Sequence, residues 1–252
     1  MMREHDHEMV EDRPSAWTRP WFLVSAAFIA VLLAVGVTLV VTGKGTNAGP
    51  GPAAAAVAPV APSASKPAAG GDSACGLPAG DQTVPAVAPK ATWALVGRVA
   101  APSDAAAGPG VTDNGFRSCY AHSPAGAVFA AANMIALGQS ADFARRLTQD
   151  LTAPGRGRDL LLARQIAVTD AQLRAELAAR DALQLAAFRV QDYTPDEAVI
   201  GVLLRQKSGA LVSSPVVMQW VEGDWKTLLS PTGGGEVQAA PDMTGYIPWS
   251  GV

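Results

Sequence analysis

The chain has 252 residues, a formal net charge of −3 and only 16% charged residues, where about a quarter is usual for a soluble protein. No block of Lys and Arg exists to track a phosphate backbone, so direct nucleic-acid binding has no support, and acidic substrates are not suggested either. The missing charge is concentrated in two places: a membrane-like segment near the N-terminus and the linker that follows it.

Residues 1–20 read as a short cytoplasmic tail. His5 and His7 flank Asp6 there, but a metal site needs further ligands held in fixed geometry, so a solvated tail is the reading. Residues 21–43, Trp21 to Gly43, carry no charge. At about 1.5 Å per residue a helix of that length crosses a hydrocarbon core of about 30 Å. Trp17 and Trp21 stand at its entry, where indoles favour the headgroup layer. Arg3, Arg13 and Arg19 precede it and Lys44 follows, so the positive-inside bias predicts a single-pass protein with its N-terminus in the cytoplasm and its C-terminal domain extracytoplasmic. A cleaved secretory signal is the competing reading; its apolar region usually runs about 7–15 residues, shorter than this one. Both readings export the domain.

Residues 44–72 are mostly Ala, Pro, Gly and Ser, with too little apolar surface to offset the entropy of ordering them. They read as a semi-extended linker, either a passive tether or a spacer across a cell-wall layer. The extracytoplasmic domain is then 73–252. Cys75 and Cys119 are the only cysteines, and both fall on the oxidising side. One disulfide is the economical outcome, worth roughly 3–4 kcal/mol for a loop of this length; two separately used thiols are the alternative. No CxxC motif suggests a redox role.

Within the domain, 76–118 has few periodic signals, and only Trp93 to Val96 reads as a short strand. A helix signature follows, with Ser123 as N-cap, Pro124 in the first turn and Gly138 at the stop. Ala125 to Leu137 is apolar on every face except at Asn133 and too short to span a bilayer, so it reads as a helix buried in a core. Ser140 reads as the cap of a second helix carrying Phe143, Leu147 and Leu151 on one face and ended by Pro154 and Gly155. Leu160 to Val168 reads as a helix or a strand, and Thr169-Asp170-Ala171-Gln172 as a capping box opening a helix to about Leu183. The apolar period then falls to two. Strands are predicted over 185–192, 199–206, 212–221 and 225–229, with turns at Thr194-Pro195-Asp196 and Lys207-Ser208-Gly209. Glu222-Gly223 predicts a type II′ hairpin, and Gly233-Gly234-Gly235 opens a loose tail whose Tyr246 and Trp249 dock back. Helices followed by an antiparallel meander define an α+β domain.

No catalytic, cofactor-binding or metal-ligating constellation emerges. His122 is the domain's one histidine, and Ser123 and Pro124 beside it already have a helix-start role. Cys75, Cys119 and His122 fit no zinc spacing, and the glycine run at 233–235 lacks a phosphate-loop pattern. Trp220 and Trp225 flank the hairpin, either as a cross-strand stabilising pair or as a partner-binding surface.

The string Cys119-Tyr120-Ala121-His122-Ser123-Pro124-Ala125-Gly126-Ala127-Val128, followed by Ala130-Ala131-Ala132-Asn133, resembles an uncharacterised actinobacterial membrane-protein family often found near conjugation genes. The C-terminal half, with Val221-Glu222-Gly223-Asp224-Trp225-Lys226, is similar to the extracytoplasmic domains of bitopic type IV secretion scaffolds and TcpC-like transfer proteins. That resemblance implies a nuclear-transport-factor-2-like fold, helices packed on a curved antiparallel sheet, and no catalytic residue. The first expectation is therefore a non-enzymatic membrane scaffold that contacts lipid and other envelope proteins and can self-associate. A ligand-binding module of the same fold is the second, since its cone can enclose ~300–1,000 Å³. An envelope enzyme is the third, and would need two titratable groups converging in that cone.

Overall fold

A computed structural model describes residues 72–251. The expected tail 1–20, membrane helix 21–43 and nearly all of the linker 44–72 lie outside the described residues. Among the described residues no helix is long and apolar enough to cross a membrane.

The stretch expected to be irregular holds two β-hairpins. β1 (Thr92–Val96) pairs with β2 (Val99–Ser103), and β3 (Val111–Asp113) with β4 (Phe116–Ser118). Only β1 is legible as a strand in the sequence. β2 is enclosed at nearly every position and so lacks alternation, while β3 and β4 are too short to show a period. The signal for the second hairpin was its turn. Asn114 and Gly115 both have positive φ, 51° and 90°, the Asn-Gly pair that favours a type I′ connection.

α1 (Pro124–Gly138) starts as the sequence predicts: the Ser123 Oγ accepts the Gly126 N–H at 3.0 Å, and Pro124 occupies the first turn. It ends one residue later than read, with Gln139 as C-cap and Gly138 still helical. The helix is buried on nearly all sides because it lies between the hairpins, which it meets through β2 and β4, and the main sheet. α2 (Ala144–Asp150) begins a turn later than expected. The Ser140 side chain makes no cap bond; its carbonyl instead accepts from Phe143 and Ala144. Leu160 to Val168 resolves as helix, in α3 (Arg156–Ile166), but it is not a core element. Only Gly157 and Gln165 are buried, and Ile166 is 81% exposed. The capping box opens α4 (Asp170–Ala179) with both reciprocal bonds made. α4 stops short of Leu183 because Gln139 takes that residue's backbone, accepting from its N–H at 2.7 Å and donating to its carbonyl at 3.1 Å.

β5 (Gln184–Tyr193), β6 (Glu197–Arg205), β7 (Leu211–Val221) and β8 (Asp224–Leu228) form the predicted antiparallel meander. The expected loose tail adds two short strands: β9 (Gln238–Ala240) pairs with β7 beyond the end of β8, and β10 (Ile247–Pro248) pairs with β5. The path is β10-β5-β6-β7-β8. The domain is thus α+β, with four helices and a multi-stranded antiparallel sheet among the described residues. The β7–β8 turn differs from the predicted type II′. Glu222 and Gly223 both have positive φ, 56° and 78°, as type I′ requires, and that twist matches the flanking strands.

Ile200, Val202, Leu204 and Met218 project from alternate sheet positions into the core with Phe188 and Trp225, and meet Val128, Phe129 and Ala132 of α1. Trp249 docks as read, its ring packed edge-on to those of Trp93, Phe129 and Phe188. The outer edge of β8 is covered too: Thr227 exchanges backbone bonds with Leu151 and Ala153.

Candidate functional site

The two strings that carry the resemblance meet in space, and Asp224 joins them. As the first residue of β8 its carboxylate turns inward beneath the start of α1. One oxygen, Oδ2, accepts the Cys119 N–H at 2.7 Å; Oδ1 accepts those of Tyr120 at 2.9 Å and Trp225 at 2.8 Å. Asp224 is 7% exposed. Burial pushes its pKa up to about 6, against the downward pull of the three N–H groups and of Lys226. Cys119 sits at φ 67°, a conformation that aims its N–H and that of Tyr120 at one carboxylate.

Cys75 and Cys119 form the predicted disulfide, with Cα atoms 6.2 Å apart. Around it Ala74 N–H donates to the Gly223 carbonyl at 2.8 Å, and Ser73 Oγ accepts the Leu77 N–H at 2.8 Å and lies 3.3 Å from the Cys119 sulfur. The bridge fastens the start of the domain to the first string, and the Ala74–Gly223 bond fastens it to the second. Replacing both cysteines by alanine is expected to lower stability by about 3–4 kcal/mol, measured by urea denaturation against the oxidised wild type. A loss below about 1 kcal/mol would show that the surrounding hydrogen bonds hold the junction unaided.

His122 has a structural setting. Its ring stacks on Trp220 with centroids 3.8 Å apart and planes 1° apart, and Nε2 lies 2.6 Å from the Pro195 carbonyl. A carbonyl only accepts, so Nε2 donates to it, and Nδ1 is buried without a protein partner. Gln82 Nε2 donates to the His122 carbonyl at 2.8 Å and its Oε1 accepts from the Tyr193 hydroxyl at 2.9 Å. Burial pushes the Tyr193 hydroxyl up to about 12.

Trp220 and Trp225 are directly opposed across β7 and β8, with centroids 5.4 Å apart. They do not form a common surface. Trp225 is 0% exposed, and its Nε1 donates to the Ala121 carbonyl at 3.0 Å; only Trp220 reaches solvent. As directly opposed residues, both rings lie on the core face of the sheet: Trp225 is fully enclosed, while Trp220 packs at the margin of the core against the His122 ring.

Sequence reading missed Arg117 as well as Asp224. Arg117 is buried, and its Nη1 donates to the Ala101 carbonyl at 3.2 Å and to Asn133 Oδ1 at 3.3 Å. Asn133, the one polar residue of α1's core span, donates in turn to the Pro102 and Phe129 carbonyls, both at 2.9 Å. It ties the helix to β2. The Tyr120 hydroxyl is buried without a partner, and burial together with Asp224 drives its pKa well above the usual tyrosine range. Nothing local could have flagged Asp224, because Cys119 and Tyr120, whose N–H groups it accepts, lie more than a hundred residues upstream.

A separate open cavity of about 550 Å³ lies where the β1–β2 turn, the end of α4, and the β6–β7 turn converge. Its lining includes Arg98, Arg180, Arg205 and Lys207 against one carboxylate, Asp181. Among the described residues no group of three or more His, Cys, Asp or Glu is placed to hold a metal ion.

No curated protein and no solved structure matches the chain. Residues 55–248, most of the chain, match the domain of unknown function DUF8175. That span takes in the disulfide, Asp224 and both strings, and the chain belongs to this family.

Proposed function

We propose that the protein is a membrane-anchored, non-enzymatic scaffold of a cell-envelope complex, with conjugative DNA transfer or type IV secretion as the machine its resemblance suggests. In this reading residues 21–43 hold it in the lipid, the N-terminus is cytoplasmic, and a domain of nuclear-transport-factor-2-like architecture projects outside to contact other envelope proteins or further copies of itself. The observation that carries it is where the two strings spend their chemistry. Asp224 is held by three backbone N–H groups, His122 is stacked and bonded to a carbonyl, and Ser123 caps a helix. Each of these polar groups builds the domain; none is paired as nucleophile and base.

The ligand-module alternative loses ground for a packing reason. Phe129, Phe188, Ile200, Met218 and Trp225 occupy the space between α1 and the sheet, where the cone of such a fold would hold a ligand.

Two measurements test the reading together. A periplasmic-type reporter fused after Val252 should be active and a cytosolic one silent. The full chain, extracted in mild non-ionic detergent after in-membrane cross-linking, should migrate as defined assemblies well above its own 25.8 kDa. A cytosolic C-terminus, or a chain that stays monomeric and uncross-linked in its native membrane, would overturn it.

A further inference from the structure

The cavity at the end of α4 has a strongly positive lining. The whole protein carries a net −3, yet the lining of this one concavity brings together Arg98, Arg180, Arg205 and Lys207 with Asp181 as the single acid. The residues come from three separate elements, so no run in the sequence creates the cluster; the fold does. Clustered like charges raise one another's free energy unless an anion neutralises them.

Two of the four cations have protein partners. Arg98 donates from Nη2 to the Leu177 carbonyl at 2.8 Å and the Arg180 carbonyl at 3.2 Å, which satisfies the C-terminal end of α4 and cancels its partial negative charge where an anion would sit. Gln184 fixes the Arg98 backbone, its Nε2 donating to that carbonyl at 2.7 Å while its Oε1 accepts from Ala100. Arg180 pairs with Glu176 one turn back on α4. Arg205, at the end of β6, and Lys207, in the following turn, make no ion pair among the described residues. The cavity therefore has two uncommitted cations, a pre-positioned arginine and a volume of about 550 Å³, within the ~300–1,000 Å³ of small-molecule sites.

We infer that this cavity binds an anionic phosphate group, with Arg205 and Lys207 as its principal ligands and Arg98 as the residue that keeps the helix end from repelling it. Arg205 offers the planar fork that suits phosphate oxygens, and Lys207 supplies a mobile point charge. The group can be carried by a free phosphoester or by the headgroup of an anionic lipid. The chemistry is the same, and the inference stands on the cavity whether or not the protein is a scaffold.

The test uses the full chain in non-ionic detergent, with glycerol 3-phosphate as the soluble probe followed by calorimetry, and phosphatidylglycerol against phosphatidylcholine vesicles in a flotation assay. Glycerol 3-phosphate binding that weakens as salt is raised, and falls at least tenfold in the R205Q/K207Q double variant, is the expected result. R156Q removes one positive charge from the surface of α3, outside the cavity, and should leave binding unchanged. Flotation with phosphatidylglycerol vesicles alone, lost in the double variant and kept in R156Q, would assign the phosphate to a lipid headgroup. Absence of binding to both probes, or equal losses in the double variant and R156Q, would overturn the site. Unchanged melting of the double variant would confirm that the loss is not unfolding.

Discussion

Replacing Asp224 by alanine is expected to cost the domain about 2–4 kcal/mol at pH 7, a large share of the 5–15 kcal/mol that separates a typical folded domain from its unfolded chain. The loss comes from what the carboxylate leaves behind. The N–H groups of Cys119 and Tyr120 both point at it from a buried turn, and the truncated side chain offers them no acceptor. An unpaired buried donor costs about 1–3 kcal/mol. The effect also has a pH signature. The unfolded carboxyl titrates near 3.8, and the folded one is held up to about 6, chiefly by burial. Between these values the native state binds more protons than the unfolded one, so the proton-linked part of this group's contribution is full below about 3.8 and is lost as pH rises through about 6, while the bonds to the two N–H groups remain. At 1.36 kcal/mol per unit, the gap between wild type and D224A should be wider at pH 4 than at pH 7 by up to about 3 kcal/mol. Urea titrations of both proteins at the two pH values would measure it. A gap that widens toward pH 7 would mean that the three N–H groups outweigh burial and that the carboxylate is stabilised in its charged form.

Gly126→Ala should be at least as damaging, although the same change is normally favourable in a helix. A Cβ at this position would lie 1.9 Å from the Ala121 carbonyl oxygen and 2.8 Å from its carbon. Those are backbone atoms, so no side chain can rotate away. The Ala121 carbonyl is also the acceptor for Trp225 Nε1. Displacing it strains that bond and moves the neighbouring Cys119–Tyr120 turn off Asp224. We expect a loss of about 3 kcal/mol or more, read from the shift in the denaturation midpoint. Gly234→Ala is the matched control: no heavy atom lies within 4 Å of its would-be Cβ and its φ is not positive, so the change should be neutral or mildly stabilising. Equal effects at the two positions would show that the turn over α1 yields without cost.

Both predictions fall on residues of the strings that carry the resemblance, and the geometry explains why such strings hold together as units. Ser123 and Pro124 start α1, Gly126 lets the preceding turn lie directly on the helix, and Cys119 and Tyr120 present their N–H groups to an aspartate from the far end of the chain. His122 closes the remaining side by stacking on Trp220. A change at one position shifts the others because they share a single short turn.

What the sequence determined by itself was local. The Ser123 cap, the capping box at Thr169, the four meander strands and the turns between them follow from backbone preferences and hydrophobic period within a few residues, and they formed close to where those signals lie. The pairing of Cys75 with Cys119 was legible for a different reason: two thiols leave one intramolecular choice. Tertiary structure decided what depends on contacts between distant segments. It turned 92–118, where only Trp93 to Val96 reads as a strand, into two hairpins, drew the tail onto the sheet beside β5 and β7, enclosed Trp225 while leaving Trp220 half-buried, and turned Asp224 inward. It also gathered four cations from separate elements around one cavity. Short strands and buried polar groups carry no periodic signal of their own. Their conformations are selected by the hydrogen bonds and packing that distant segments supply, which exist only once the chain has folded.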